Sequence, residues 1–306
     1  MADADAVAFI GLGNMGRPMA LNLAARGFRL VVHDIDPAKV EPLRARGAAV
    51  AGSPQDAAAA ATRTICMVET TAQAEAVIAG ERGILHGARS GHIVACMSTI
   101  DPFAARRLAE ALAARGIAMV DAPVSGGTER AASGALSIIC GGKAEAFEAC
   151  RDLFEGMGKN VFHVGGLGQG LAVKLVNNML IQVNVVAVAE ALVLGVKAGL
   201  DLRTLYEVVR VSTGNSFAWE TRVPKILARD FAPGGTVDVY FKDQELETAF
   251  AKQLGVPLLL ANVSQQVYQM ARAAGLNKED GSAIVKVLEA LAGVEVRGES
   301  PASPAP

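Results

Sequence analysis

A lysine and an asparagine interrupt an otherwise apolar segment in the middle of the chain. The segment covers about residues 170–198, and it contains Lys174 and Asn178. Side chains four positions apart share one face of a helix. A lysine among apolar residues is costly unless it is paired or used. The pair is therefore a candidate for acid–base chemistry. The alternative is a lysine whose stem carries its ammonium group to the surface.

A second candidate is the loop that reads Asp-Ala-Pro-Val-Ser-Gly-Gly over residues 121–127. Ser125 supplies a hydroxyl group, and Gly126 and Gly127 expose backbone N–H groups without an obstructing Cβ. Together these donors could hold a carboxylate. A pair of glycines is also common in an ordinary turn, so both interpretations stay open from the residues alone.

A glycine-rich motif follows the first apolar run of the chain. Gly11 allows a tight turn, Gly13 allows the backbone to approach a pyrophosphate, and Gly16 allows close packing of a helix on a strand. The N–H groups at the start of that helix would face the phosphates. The motif predicts a dinucleotide site with these cofactor-binding residues: Gly11, Leu12, Gly13, Asn14, Met15 and Gly16.

An acid in the right place strengthens this interpretation and selects the cofactor. Asp34 ends the next predicted strand, 18 residues after Gly16. A carboxylate there would accept hydrogen bonds from the adenosine ribose hydroxyls. It would also repel the additional phosphate of NADP, so we expect NAD rather than NADP. An unrelated loop acid is the alternative.

Strand-like and helix-like segments alternate through the first half of the chain. This pattern predicts a mainly parallel, doubly wound α/β sheet of the Rossmann type. Ligands of such sheets bind at the carboxyl ends of the strands, so the loops around Val68, Thr99 and Ser125 are the places to look. The predicted strands are 7–10, 29–34, 64–68, 92–97, 117–120, 134–142 and 161–164.

Strand signals nearly vanish after Gly170, and the second half is predicted to be all-α. A helix of roughly 29 residues would be about 43 Å long, so we expect it to bridge domains or subunits. Later helices are expected at 201–211, 238–254, 257–274 and 281–291. In the helix at 238–254, spacing places Lys242 on an inward stripe with Val239, Leu246 and Ala249, and directs Asp243 elsewhere.

These segments divide the chain into three predicted parts. Residues 1–166 form an NAD-binding domain, residues 167–296 form an all-α domain, and residues 297–306 form a Pro/Ser-rich disordered tail.

The composition of this chain of 306 residues indicates which classes of partner and site to expect. Half of them are hydrophobic (51%) and the net charge is −2, so neither a nucleic acid nor a membrane is expected as a partner. The N-terminus has no basic stretch typical of a signal peptide, so we expect a cytoplasmic protein. No metal site is expected, because the cysteines (Cys66, Cys96, Cys140 and Cys150) lack metal-ligand spacing and read as buried thiols.

The motifs and their order resemble the β-hydroxyacid dehydrogenase family over about residues 6–291. Gly-Leu-Gly-Asn-Met-Gly with Asp34 comes first, then Ser98-Thr99, then the 121–127 loop. The segment 168–178, Gly-Gln-Gly-Leu-Ala-Val-Lys-Leu-Val-Asn-Asn, and then Phe-Lys-Asp at 241–243 complete the series. One departure is Val68-Glu69, where many members of the family carry Leu-Pro.

The resemblance implies a Rossmann domain followed by an all-α domain, with the active site in the cleft between them. It implies that Lys174 is the catalytic residue and that a homodimer or homotetramer forms through the helical domain. By the same resemblance, substrate-binding positions are Ser125, Gly126, Gly127 and Asn178, and cofactor-side positions are Val68, Thr99 and Lys242.

The resulting hypothesis is an NAD-dependent oxidoreductase that moves a hydride between nicotinamide and a small 3-hydroxy acid, with 3-hydroxyisobutyrate as the model. Lys174 would be the general acid and base. One alternative is a reductase of tartronate or succinic semialdehyde, and another is a dehydrogenase of threonate-type sugar acids. An alternative of a different class is a non-catalytic NAD-binding module.

Overall fold

The computed structural model describes residues 6–298 of the chain. It divides into two compact units, of which the first ends at Lys174 and the second begins at Leu175. Of the predicted disordered tail, only residues 297 and 298 are described, and residues 299–306 lie outside the described part.

A nine-stranded sheet runs through the described residues of the first unit. Every strand predicted from the sequence is present, with shifted ends, and two short strands, β3 and β7, were not predicted. The strands are β1 (Ala6–Ile10), β2 (Arg29–His33), β3 (Ala49–Val50), β4 (Arg63–Cys66), β5 (Ile93–Cys96), β6 (Ala118–Asp121), β7 (Val124–Ser125), β8 (Leu136–Gly141) and β9 (Gly158–Gly165).

The strand order is that of a doubly wound sheet. It runs β3-β2-β1-β4-β5-β6-β8-β7, and β9 pairs with β8. The pairs from β3 to β6 are parallel, whereas β8 lies antiparallel to β6 and β7. The first six strands therefore follow the order 3-2-1-4-5-6 of a Rossmann fold. The predicted fold class is confirmed.

Helices cover both faces of this sheet. Successive side chains along a strand point to opposite faces, and apolar side chains on both faces are buried. In β1, Val7 and Phe9 belong to one buried apolar cluster, and Ala8 and Ile10 belong to another. The helices are α1 (Gly16–Ala25), α2 (Glu41–Arg44), α3 (Pro54–Ala59), α4 (Thr71–Ala79), α5 (Ile84–Gly87), α6 (Pro102–Ala113), α7 (Gly127–Ala132), α8 (Ala144–Glu148) and α9 (Arg151–Met157). All four cysteines are free and buried, as predicted.

The second unit is helical, and it packs around a core that includes Trp219 and Tyr268. A helix begins in the first unit and continues through the second, and two 3₁₀ turns lie at Pro37–Lys39 and Gly281–Ile284. The α-helices are α10 (Gln169–Lys197), α11 (Leu202–Arg210), α12 (Phe217–Leu227), α13 (Val237–Gln253), α14 (Leu259–Ala273) and α15 (Val285–Ala292). The predicted all-α second half is confirmed.

Helix α12 was missed from the sequence. Ser216 caps its first turn by accepting the Trp219 N–H. Pro224 lies inside the helix and argues against a helix when the sequence is read locally. Burial of Trp219, Val223 and Ile226 against the core outweighs that local signal.

Helix α10 is buried along one side and exposed along another. Exposed apolar side chains recur at helical spacing along one side, whereas Leu175, Val185 and Leu192 are buried. The helix is long and apolar enough to cross a bilayer, but the core helix of a soluble protein can have the same length and composition. The exposed apolar residues are Val173, Val176, Leu180 and Leu194.

Candidate functional site

The glycine-rich turn after β1 has the backbone geometry that a dinucleotide site needs. Gly11 has a φ of +92°, and a Cβ there would lie 2.2 Å from the Met67 carbonyl oxygen. A Cβ on Gly16 would lie 1.9 Å from the Gly11 carbonyl oxygen. A Cβ on Gly13 would meet nothing within 4 Å, so this backbone is open to a ligand. No side chain caps the start of α1, so its N–H groups can face phosphates.

Asp34 is held beside this turn by backbone hydrogen bonds. Its Oδ2 accepts the Leu12 N–H at 2.6 Å and its Oδ1 accepts the Asp36 N–H at 2.9 Å. The Lys39 ammonium lies 3.9 Å from Oδ1. The acid is thus joined to the glycine turn, 22 residues earlier in the chain. This is the arrangement expected of a ribose-binding carboxylate.

The loops after β4 and β5 meet through Ser98, which was not predicted as a site residue. Ser98 is fully buried, and its hydroxyl accepts the Val68 N–H at 2.7 Å. Val68 and Thr99 follow strands that pair in parallel, so both lie at the carboxyl edge of the sheet. The only signal for Ser98 in the sequence was its position beside Thr99.

The loop after β6 presents the proposed carboxylate-binding donors. Ser125 is half-buried, and Gly126 and Gly127 are exposed, with φ values of +136° and +70°. A side chain would be strained at either glycine. A Cβ on Gly127 would meet nothing within 4 Å, so its N–H group is open to a ligand.

Asp121 opens the same loop and is fully buried. Its Oδ1 accepts the Gly168 N–H and its Oδ2 accepts the Leu171 N–H, each at 2.7 Å. Burial raises the pKa of the carboxyl group to about 6, opposed by these two N–H groups and by Arg106. The sequence motif contains this acid but does not indicate a role for it.

Lys174 and Asn178 are both buried, each 8% exposed, one turn apart on α10. The Asn178 amide donates from Nδ2 to Asp243 Oδ2 at 2.7 Å. Asp243 Oδ1 lies 2.8 Å from the Lys242 ammonium. The asparagine is therefore oriented by an acid 65 residues away in the chain.

The prediction that Lys242 lies on the inward face of α13 and Asp243 does not was wrong. Asp243 is buried, whereas the side chain of Lys242 retains about a quarter of its exposure (24%). The buried face carries Gln244, Glu247 and Thr248. Apolar spacing could not find this face, because polar residues occupy it. The adjacent Phe-Lys-Asp motif was the one available signal for Asp243.

Replacement of Asp243 by asparagine is expected to lower kcat/KM about 10-fold. The hydrogen bond from Asn178 to the charged carboxylate is worth about 1.5–3 kcal/mol, and the neutral amide oxygen of asparagine would keep only part of it. Steady-state kinetics measure the change. The matched control is Glu245→Gln on the exposed side of α13, which should keep the original kcat/KM. Equal rates for the Asp243 variant and the unchanged chain would contradict this role.

Two family models match the chain, one for each half. Residues 6–165 match the NAD binding domain of 6-phosphogluconate dehydrogenase, and residues 168–288 match a domain described as NAD-binding of NADP-dependent 3-hydroxyisobutyrate dehydrogenase.

Relatives that match over nearly their full length are 32% to 39% identical to this chain. The chain is 39% identical to 2-(hydroxymethyl)glutarate dehydrogenase of Eubacterium barkeri, over 95% of this chain and 97% of that protein. It is 37% identical to NAD-dependent L-serine dehydrogenase of Pseudomonas aeruginosa, over 94% and 99%. Among solved structures, Mycobacterium tuberculosis 3-hydroxyisobutyrate dehydrogenase with L-serine is similar at a TM-score of 0.87 and 32% identity, covering 94% of this chain and 99% of that one.

Proposed function

Because the chain belongs to the β-hydroxyacid dehydrogenase family, we propose that Lys174 moves the proton in a hydride transfer between NAD and a small 3-hydroxy acid. The observation that supports this role most directly is a buried lysine one turn from an asparagine that a buried acid orients. A buried, positioned amine is a suitable proton acceptor and donor.

The substrate class follows from what the relatives' named substrates share. 2-(Hydroxymethyl)glutarate, L-serine and 3-hydroxyisobutyrate each carry a CH₂OH group on the carbon next to a carboxylate. We propose the same unit, a 2-substituted 3-hydroxypropionate, as the substrate of this chain. The oxidised product is the corresponding semialdehyde, so a semialdehyde reductase is the same chemistry in the opposite direction.

The residues of the first unit fit NAD. Gly13 leaves open space above the turn, the start of α1 has no side-chain cap, and Asp34 is fixed beside the turn. Asp34 favours NAD over NADP because its charge would repel an additional phosphate. When bound, NAD accepts the hydride from the carbinol carbon and returns it in reduction.

The chain's own residues bind the acid and move the proton. The Ser125 hydroxyl and the Gly126 and Gly127 N–H groups hold the substrate carboxylate. Asn178 orients the substrate hydroxyl through a hydrogen bond. Lys174 Nζ takes the hydroxyl proton as the C–H bond breaks and the carbonyl forms, and it returns that proton in reduction.

A substrate panel tests the function. Reduction of NAD at 340 nm is followed with 3-hydroxyisobutyrate, L-serine, 2-(hydroxymethyl)glutarate, L-threonate and glycerate. Turnover of one or more CH₂OH acids is the expected result. Turnover of L-threonate alone would favour a sugar-acid dehydrogenase. Silence across the panel, with NADH still bound, would favour a non-catalytic NAD-binding module.

We also propose a homodimer or homotetramer assembled through the helical unit. Leu180 and Leu194 are 54% and 70% exposed on α10, and a second copy would cover such side chains. Leu180→Lys should lower the mass measured by light scattering toward one chain. Val50→Lys, at an exposed apolar residue of the other unit, is the control and should leave the mass unchanged. A monomeric unmodified chain would contradict the proposal.

The cytoplasm is the proposed location. Four free, buried thiols are compatible with a reducing compartment. The polar side chains on α10, among them Glu190, disfavour insertion of that helix into a bilayer. Fractionation of the expressing cell tests the location, and recovery with the membranes would contradict it.

A further inference from the structure

Asp121 sits where the sheet, the substrate loop and the helix that carries Lys174 meet. It is the last residue of β6, and it is 0% exposed. Its Oδ1 accepts the N–H group of Gly168, the residue before α10, and its Oδ2 accepts that of Leu171 in the first turn of α10, each at 2.7 Å. Both side-chain oxygens are therefore engaged by the same helix end.

This contact is a helix cap supplied from a distant part of the chain. The first N–H groups of a helix have no partner within the helix, and a neighbouring side chain usually accepts them. Here the acceptor lies 47 and 50 residues earlier. A negative charge at this end also interacts favourably with the helix dipole. The cap therefore fixes the first turn of α10 on the sheet.

Two glycines allow the close approach. A Cβ on Gly170 would lie 2.8 Å from Asp121 Oδ2 and 2.4 Å from the Ile139 carbonyl oxygen. A Cβ on Gly141 would lie 2.6 Å from Asp121 Oδ1 and 2.8 Å from the Gly170 nitrogen. The helix end, the carboxylate and β8 are thus in contact through backbone, with no room for a methyl group.

We propose that Asp121 is a positioning residue for the reaction, one that sets the place of Lys174 relative to the loop that holds the substrate carboxylate. Lys174 follows the capped Leu171 by three residues, less than one helical turn. Ser125 lies four residues after Asp121, in the loop proposed to hold the substrate carboxylate. One carboxylate thus joins the base and the substrate loop. The inference rests on the proposed function of Lys174.

The charge of Asp121 is what makes both hydrogen bonds possible. Above its pKa of about 6 the carboxylate is charged and accepts both N–H groups. Below that pH one oxygen carries a proton and becomes a donor that faces the donor N–H group of the backbone. The groups that face it are Arg106 from α6 and the Cys140 thiol from β8, and Cys96 of β5 lies opposite in register. Loss of the cap below pH 6 should therefore displace Lys174.

The test is Asp121→Asn, assayed in the direction of carbonyl reduction. In that direction Lys174 donates a proton, so its own ionisation does not lower the rate at acid pH. We expect kcat of the variant to fall about 10- to 100-fold, the cost of a displacement of about 1 Å. The KM for NADH should stay within about twofold. In the unmodified enzyme kcat should fall below about pH 6, and in the variant that dependence should disappear because an amide does not titrate.

A matched control separates positioning from stability. Glu289 is a buried acid that accepts the Val296 N–H at 2.7 Å and pairs with Arg229, in a part of the second unit that carries no assigned site residue. Glu289→Gln should lower the melting temperature without changing kcat or its pH profile. Gly170→Ala is a second variant, which keeps both Asp121 and Lys174 and should lower kcat by forcing them apart.

The outcomes distinguish this inference from the proposed function. If Lys174→Ala keeps its turnover, both fail. If Lys174→Ala loses turnover while Asp121→Asn keeps the original kcat and the original acid limb, only the positioning role of Asp121 is overturned. Loss of kcat in Asp121→Asn and Gly170→Ala, with NADH affinity retained, supports it.

Discussion

Lys174→Ala is expected to lower kcat by about 10²- to 10⁴-fold, the usual contribution of a positioned general acid or base. The proton of the substrate hydroxyl would then have no acceptor, whereas the glycine turn and Asp34, the residues proposed to bind NAD, are unchanged. The dissociation constant for NADH, measured by fluorescence titration, should therefore stay the same.

The control is Lys197→Ala at the other end of the same helix. Lys197 is exposed in the last turn of α10, and its removal should leave kcat unchanged. A Lys174→Ala variant with near-normal turnover would eliminate this residue as the acid and base. A variant that loses NADH binding together with turnover would instead indicate a cofactor-binding role.

Asp34→Asn is expected to raise the KM for NAD about 10- to 100-fold and to lower the KM for NADP. Charge-assisted hydrogen bonds of about 1.5–3 kcal/mol to the ribose hydroxyls would be weakened, and the repulsion of the additional phosphate would be lost. Initial rates with each cofactor at a fixed substrate concentration measure the ratio of the two KM values.

Asp36→Asn is the comparison for this prediction. Asp36 is exposed, and its carboxylate accepts the Ala38 N–H of a 3₁₀ turn, so its loss should leave the KM for NAD unchanged. An Asp34→Asn variant with an unchanged ratio of NAD to NADP would show that another group selects the cofactor.

The glycine turn illustrates what can be predicted from a sequence. Strand, turn and helix follow one another within residues 6–25, and a close backbone contact leaves no room for a side chain at Gly11 or Gly16. Periodicity and glycine spacing report such local requirements directly. The same holds for Lys174 and Asn178, whose common face follows from a spacing of four residues.

In helix α13, apolar spacing does not identify the buried face. Apolar spacing placed Lys242 inward and Asp243 elsewhere, whereas Asp243 is buried against Asn178. A rule that equates burial with apolar residues cannot identify a face built from Asp243, Gln244, Glu247 and Thr248. Buried polar groups are found through their partners, and those partners lie on other elements.

The sequence by itself determined the alternation of strands and helices, the glycine turn after the first strand, the place of Asp34 after the second strand, and the family to which the chain belongs. These depend on residues that are close together in the chain. Only the tertiary structure decided that Asp121 caps α10, that Asp243 orients Asn178, and that Ser98 holds the loop at Val68. These three contacts could not be predicted for the same physical reason. Each is a hydrogen bond between residues 30 to 65 positions apart, and its geometry depends on how the elements pack and not on local spacing.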